Sequence, residues 1–270
     1  FNGEGFGQLG KLAFESDGTN MRCTKITAPY SVYTPLADSL PRTWYTTRKA
    51  SAYTGSASDV TALNDFGSNG LTATKVGTGN IVLTDNALNT VQGFDFGNGN
   101  TDRKFSLGTV DISNFMTGGA MTMVAAVKAS TVDAVARIIF GWINTNDTMY
   151  LGHNTSTTQI DGFIFDNIPG SAEIVSGNSS TIASGVTILA WVKNTAGSSY
   201  LYANAVLIGT ATQTSTPDGT ATSCYLGAIN AAGTSPMRGS IGDFAIWARA
   251  LSTVEREAIE LELMSIYGVV

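Results

Sequence analysis

The chain has 270 residues and a mass of 28.2 kDa; 43% of the residues are hydrophobic, only 13% are charged, and the net charge is -6. A charged share about half that of an average globular protein, made up with Gly, Ser, Thr, Asn and Ala, predicts short strands, tight turns and a polar, uncharged surface. With no basic stripe, nucleic acid is excluded as a partner, and no apolar run reaches the roughly 18 residues that a membrane helix needs. The length holds one large all-β domain or two small ones. Cys23 and Cys224 stand far apart, without a second Cys or His at metal-ligand spacing, and are expected as two free thiols, with one long-range disulfide as the alternative.

Residues 1–43 read as an arm and linker. After a glycine-rich lead, Leu12 and Phe14 alternate, Asp17-Gly18 offers a turn, and Met21, Cys23 and Ile26 complete a predicted hairpin. A lone hairpin does not hold in water, so this one must dock on the main body or on another chain. On the docking reading Phe14 belongs to an assembly interface; an ordinary extension of the same sandwich is the alternative. Pro29, Pro35 and Pro41 then deny ladder hydrogen bonds through a linker.

Next comes Trp44-Tyr45, then a turn running Asp65-Phe66-Gly67-Ser68-Asn69-Gly70, in which Asp65 can accept the amides of the turn it opens. Further on, Phe94-Asp95-Phe96-Gly97 and Asp102 flank a glycine- and asparagine-rich loop. Asp95, Asn98, Asn100 and Asp102 make an oxygen-rich set of the kind that holds calcium, though no Glu completes an EF-hand loop.

Residues 120–129 and 135–143 are apolar enough for central strands covered on both faces. DTMYLG, QIDGFIFDN, VTILAWVKN and SSYLYANAVLIGTAT follow at spacings near ten residues, the rhythm of an antiparallel sandwich. In the last of these, Tyr202-Ala203-Asn204-Ala205 marks a hairpin turn, with Asn204 expected in the left-handed conformation. The end of the chain, 239–270, predicts a buried strand through Ile241, Phe244, Ile246 and Trp247, then a helix opened by a Ser252-Thr253-Val254-Glu255 capping box and closed at Gly268. On a helical wheel Val254, Ala258 and Leu261 form one stripe, expected to cover the sandwich. Ile259, Leu263 and Ile266 form a second, expected to meet the arm or a neighbouring subunit.

The closing strand and helix, the Trp44-Tyr45 opening, the Phe94-Asp95-Phe96-Gly97 phrase and the Tyr202–Ala205 hairpin occur in the order that resembles laminin G-like domains of the concanavalin A-like superfamily. The version found in phage virion proteins is the most similar. The resemblance implies an all-β, two-sheet antiparallel jelly-roll sandwich over 44–270, with one C-terminal helix.

Glycosidases of that superfamily place carboxylates at alternate positions of one strand, which puts them on one sheet face. No such run exists here: Glu173 is the single glutamate between Val60 and Thr253, and Asp161 and Asp166 are an odd number of positions apart. A non-enzymatic role is expected. Residues 139–236 carry Asp147, Asp161, Asp166, Glu173 and Asp218 against Lys193 alone, and this amide-rich surface suits uncharged glycans. Tyr150 and Tyr202 are the candidate stacking platforms, with Asn204 and Asp166 as polar partners; Trp142 reads as core.

Two functions are carried forward. One is a phage head-decoration or tail-fibre protein, displayed on the virion surface, made in the host cytoplasm without a leader, homo-oligomeric, with a trimer in view, and attached to other virion proteins by its arm. The other is a carbohydrate-binding module or adhesin-type lectin of a bacterial surface protein.

Overall fold

The computed structural model describes residues 12–16, 21–26, 35–49, 51–97, 102–130, 137–153, 159–166, 171–178, 185–230, 232 and 235–270. Strands β1 (Leu12–Ser16) and β2 (Met21–Ile26) pair antiparallel in a sheet of their own, Phe14 opposite Cys23. The hairpin is the one expected; its Asp17-Gly18 turn lies outside the described residues. Pro35, expected in a linker, instead opens a one-turn helix, α1 (Pro35–Asp38), at the position where a missing N–H costs nothing.

Two larger antiparallel sheets follow. The first comprises β3 (Thr43–Thr46), β7 (Val82–Leu88), β8 (Val91–Asp95), β10 (Met121–Ala129), β15 (Thr187–Lys193), β16 (Ser198–Ala203), β17 (Val206–Thr212) and β19 (Gly239–Trp247), with β19 central beside β10. The second comprises β4 (Tyr53–Ser56), β5 (Asp59–Leu63), β6 (Ala73–Val76), β9 (Lys104–Ser106), β11 (Arg137–Ile143), β12 (Thr148–His153), β13 (Gln159–Asp166), β14 (Ser171–Asn178) and β18 (Ser223–Leu226). Met123, Ala125, Leu189, Trp191, Phe244 and Ile246 of the first sheet meet Phe105, Phe140, Trp142, Met149, Ile160 and Val175 of the second in one core. Cys224 is a free thiol within it. The side chain of Cys23 lies outside the described residues.

The two sheets close on each other at both margins. On one side the Val60 N–H donates to the Ile81 carbonyl at 2.8 Å and the Leu83 N–H to the Ala57 carbonyl at 2.7 Å. On the other, β14 and β17 approach at glycines: a Cβ on Gly209 would run into the Ser176 carbonyl, and one on Gly177 into Ile208.

Alternate residues of the first sheet point away from this core and build a second one. Val124, Ala126, Ile188, Ala190, Ala245 and Trp247 are covered by α2 (Thr253–Ile266) through Ile259, Leu263 and Tyr267, and by Leu36 of α1. The helix therefore sits with the stripes reversed from the sequence expectation. Ile259 and Leu263 are fully buried within their own chain and Ile266 packs beside them, so they are not an assembly surface, whereas Val254 and Leu261 are exposed. The reason is that the buried side also carries Arg256 and Glu260, which pair with each other. The expected contact with residues of the arm region is present through Leu36, whose N–H donates to Glu262 Oε2 at 2.7 Å.

The capping box of α2 is formed: Ser252 accepts from the Glu255 N–H, and Glu255 Oε2 accepts from the Ser252 N–H at 2.9 Å. Gly268 takes a φ of 59° at the other end. Ser252→Ala should lower unfolding free energy by about 1 kcal/mol, read as a shifted urea midpoint at unchanged slope. Among the described residues no helix is long and apolar enough to cross a membrane.

Asp243 ties the layers together. It is 1% exposed and sits where β19 departs from strict alternation, opposite Thr46 of β3. Its Oδ1 accepts from Trp44 Nε1 at 2.8 Å; its Oδ2 accepts from Arg48 Nε at 2.8 Å and from the Tyr267 hydroxyl at 2.7 Å. One carboxylate thus joins β3, the central strand and the end of the C-terminal helix.

Candidate functional site

Along the outer face of the second sheet, strand register places Ile174, Phe163, Tyr150, Gly141 and Tyr225 in one row across β14, β13, β12, β11 and β18. Alternation dictates this. With Met149, Leu151, Ile160, Ile164 and Val175 committed to the core, their neighbours must face outward. The Tyr150 and Phe163 rings stack, with centroids 4.6 Å apart and planes 11° from parallel. Burial, and next the charge of Asp161, push the Tyr150 phenol up to about 12.

The row is open at one end and closed at the other. Ile174 is 40% exposed. At Gly141 an added Cβ would meet Ile229 Cα at 2.8 Å and the Ala228 carbonyl at 2.9 Å, because the segment after β18 crosses the face there. Beyond it, Tyr225 is buried with Lys104 Nζ 5.5 Å from its ring centroid.

Toward the other end of β13 and β14 the same face turns polar. Asp161 is buried and accepts from the Ser176 hydroxyl at 2.6 Å, and Gln159 stands opposite Asn178. Gln159, Ser176, Gly177, Asn178 and Ile208 line an open groove of about 270 Å³ where the margin of the sheet meets β17.

The sequence-derived candidates are not one site. Tyr150 is on the open face. Tyr202 belongs to β16 in the other sheet, where the Arg256 guanidinium lies 3.7 Å from its ring centroid; it is a support for the helix and does not join Tyr150. Asn204 is a turn residue: it has a φ of 51°, its Oδ1 accepts the Ile188 N–H and its N–H donates to the Ile188 carbonyl, each at 2.8 Å. Asp166 ends β13 opposite Ser171. Trp142 is core, its Nε1 donating to the Val110 carbonyl at 2.9 Å. Phe163 and Ile174 were missed, since only the register shows that they flank Tyr150. The signal available was their alternation with residues that read as core.

The oxygen-rich set at 95–102 does not converge among the described residues. Asp95 Oδ1 accepts the Gly97 N–H at 2.7 Å, and Asp102 pairs with the buried ammonium of Lys104. Arg103 donates to the Phe96 carbonyl at 3.0 Å and lies against Gly97, so cationic side chains of the protein occupy this segment. Asn98 and Asn100 lie outside the described residues. Among those described, no group of three His, Cys, Asp or Glu is placed to hold a metal ion. The Asp65 turn is structural: its carboxylate accepts the N–H groups of Trp44, Gly67 and Leu71 at 2.7, 2.7 and 2.9 Å.

Two closed antiparallel sheets with a helix behind one and an open aromatic face on the other define a lectin-like jelly roll. The chain belongs to the concanavalin A-like lectin/glucanases superfamily, whose laminin G-type model matches residues 98–255. No curated protein sequence matches it. Among solved structures it is similar to the receptor-binding domain of botulinum neurotoxin D, with 14% identity, a TM-score of 0.57, and 84% of this chain and 54% of that one covered. The serotype D ligand-binding domain in complex with N-acetylneuraminic acid gives 14%, 0.58, 84% and 51%. The serotype G binding domain gives 14%, 0.54, 83% and 51%. The chain spans about half the length of these domains, and at such identities the likeness is one of fold.

Proposed function

We propose that the chain is a non-enzymatic structural protein of a phage particle, a head-decoration or tail-fibre component, whose jelly roll over 44–270 presents the Ile174–Phe163–Tyr150 face to surface glycans. The observation that carries the binding part is the stacked Tyr150–Phe163 pair on a sheet face that nothing among the described residues covers at the Ile174 end. Paired rings offer an apolar platform to a sugar face, with a phenol at its edge for hydrogen bonding. The virion part rests on the order of sequence phrases shared with phage laminin G-like domains. Within residues 1–43 the hairpin serves as the attachment to other virion proteins, since a two-stranded hairpin needs cover from elsewhere, while residues 35–43 are already built into the sandwich. Copies act as a homo-oligomer, so that weak single sites add up.

On a glycan array the full chain is expected to bind, and Tyr150→Ala to weaken binding about tenfold, while Tyr202→Ala, in the other sheet, leaves it unchanged. The reverse pattern would reject the face. The second reading is an adhesin-type lectin or carbohydrate-binding module of a bacterial surface protein; absence of the chain from purified virions would select it over the particle reading.

A further inference from the structure

We infer that the helix side of the sandwich is a docking surface for the β1–β2 hairpin of a second copy of this chain. The inference rests on the homo-oligomer part of the proposed function and makes a neighbouring copy the virion protein that the hairpin grips.

The surface is apolar and uncovered. Val254 and Leu261 are 77% and 58% exposed and lie on the outer stripe of α2, with Ala258 between them. The hydrogen bond from the Ala205 N–H to Glu260 Oε1 sets the β16–β17 turn against the same helix, and the next two residues, Val206 and Leu207, are exposed as well. The sandwich has no use for these four side chains, because α2 already covers its own sheet with Ile259 and Leu263. Exposed apolar side chains gathered on one side of a domain mark a contact.

The hairpin supplies the matching half. Its register sets Leu12 opposite Ile26 and Phe14 opposite Cys23, while Ala13 stands opposite Lys25 and Glu15 opposite Arg22. The ladder thus has one apolar set of positions and one polar set, and two strands alone do not hold together in water. Among the described residues the hairpin is a sheet by itself, and no strand or helix of the sandwich packs against it beyond passing contact. The eight residues between Ile26 and Pro35 span at most about 30 Å. They end beside α2, where the Leu36 N–H meets Glu262, so the hairpin is delivered on the helix side. Its own chain leaves Val254 and Leu261 open, which assigns the hairpin to a neighbour.

Charge argues against the simplest alternative, two copies of α2 back to back. Glu257 flanks the exposed stripe on one side and Glu262 on the other, and the one cation of the helix, Arg256, is buried. A two-fold contact of this stripe with itself would bring like charges together. Strand β2, by contrast, carries Arg22 and Lys25 and no acidic residue.

The test is sedimentation equilibrium of the full chain. Self-association is expected, and both Leu261→Lys and Phe14→Ser should weaken it by about tenfold or more. Both variants should keep the parental melting temperature, since Leu261 is exposed and the hairpin is not part of the sandwich core. Isotopically light and heavy chains are then mixed and coupled with a carbodiimide, and Lys25 is expected to link to a glutamate of α2 between light and heavy chains. Links confined to chains of one isotope, or none, overturn the second copy as the occupant. An oligomeric parent whose association neither variant weakens overturns the docking surface and leaves the homo-oligomer standing. A monomeric parent overturns both.

Discussion

Asp243→Ala is expected to lower the unfolding free energy by about 3–5 kcal/mol, the usual range when one partner of a buried charged pair is removed. The carboxylate is buried, and its loss leaves the Trp44 indole N–H and the Tyr267 hydroxyl without their acceptor. Arg48 keeps some access to water, its side chain being 24% exposed, which places the expectation at the lower end. For a domain of this size each kcal/mol moves the melting temperature by roughly 2–4 °C, so a fall of roughly 10 °C should appear in a thermal scan. Tyr267→Phe removes a single hydrogen bond from the same hub and should cost about 1 kcal/mol. If Asp243→Ala melts no lower than Tyr267→Phe, the carboxylate does not hold the three elements together.

Stability is also expected to fall as pH rises from about 4.5 to about 7, through Glu260. Burial pushes this carboxyl from its ordinary 4.5 up to about 7, with Arg256 and the Ala205 N–H opposing the rise. A group whose folded pKa is raised contributes stability that is complete below the unfolded value and is lost as pH passes the folded value, with a ceiling here of about 3 kcal/mol. Glu255 acts in a different window. Its hydrogen bond with Arg249 is the largest of the causes holding its carboxyl down at about 2, so its smaller, solvent-screened contribution is present above 4.5 and fades as pH falls toward 2. Glu260→Gln keeps an acceptor for Ala205 and should flatten the upper window while leaving the lower one alone. Melting curves of parent and variant that run parallel from pH 4.5 to 7 would reject this account. Glu260 has a structural reason to be there: Ala205 is held at a φ of 63°, a conformation that an L side chain adopts at a cost, and Glu260 Oε1 accepts its N–H at 3.2 Å.

Strands β10, β15 and β19 were legible in the sequence because both of their faces are covered, one by the core and one by α2, which makes their apolar runs nearly continuous. By contrast β14, SAEIVSGN, offers little to read. Its core-facing positions are Glu173, Val175 and Gly177, and the glutamate is absorbed by hydrogen bonds with Thr214 and Ser215 at 2.9 and 2.8 Å. The helix was read with its stripes exchanged for a related reason. Sequence periodicity counts Arg256 and Glu260 as solvent-facing, whereas a turn from another strand and the ring of Tyr202 give both a buried environment. Tyr150 was singled out in the sequence and lies on the outer face of the second sheet, stacked on Phe163, but the polar groove was not legible, since Ser176 and Asn178 lie on the strand that alternation did not reveal.

The sandwich also has a back and a front. Residues 35–40 are fastened on the helix side, by Leu36 to Glu262 and by the Trp247 indole to the Ser39 carbonyl at 3.1 Å, while Tyr150 and Phe163 face outward from the opposite sheet. A grip on the chain upstream of Leu36 therefore holds the molecule from behind and points the aromatic face away from the grip. Tension between that handle and a ligand on β12–β14 would enter through β3, which is laddered to the central strand β19, and cross the packed core to the other sheet. Such a load is shared among many side chains instead of peeling a strand from a margin.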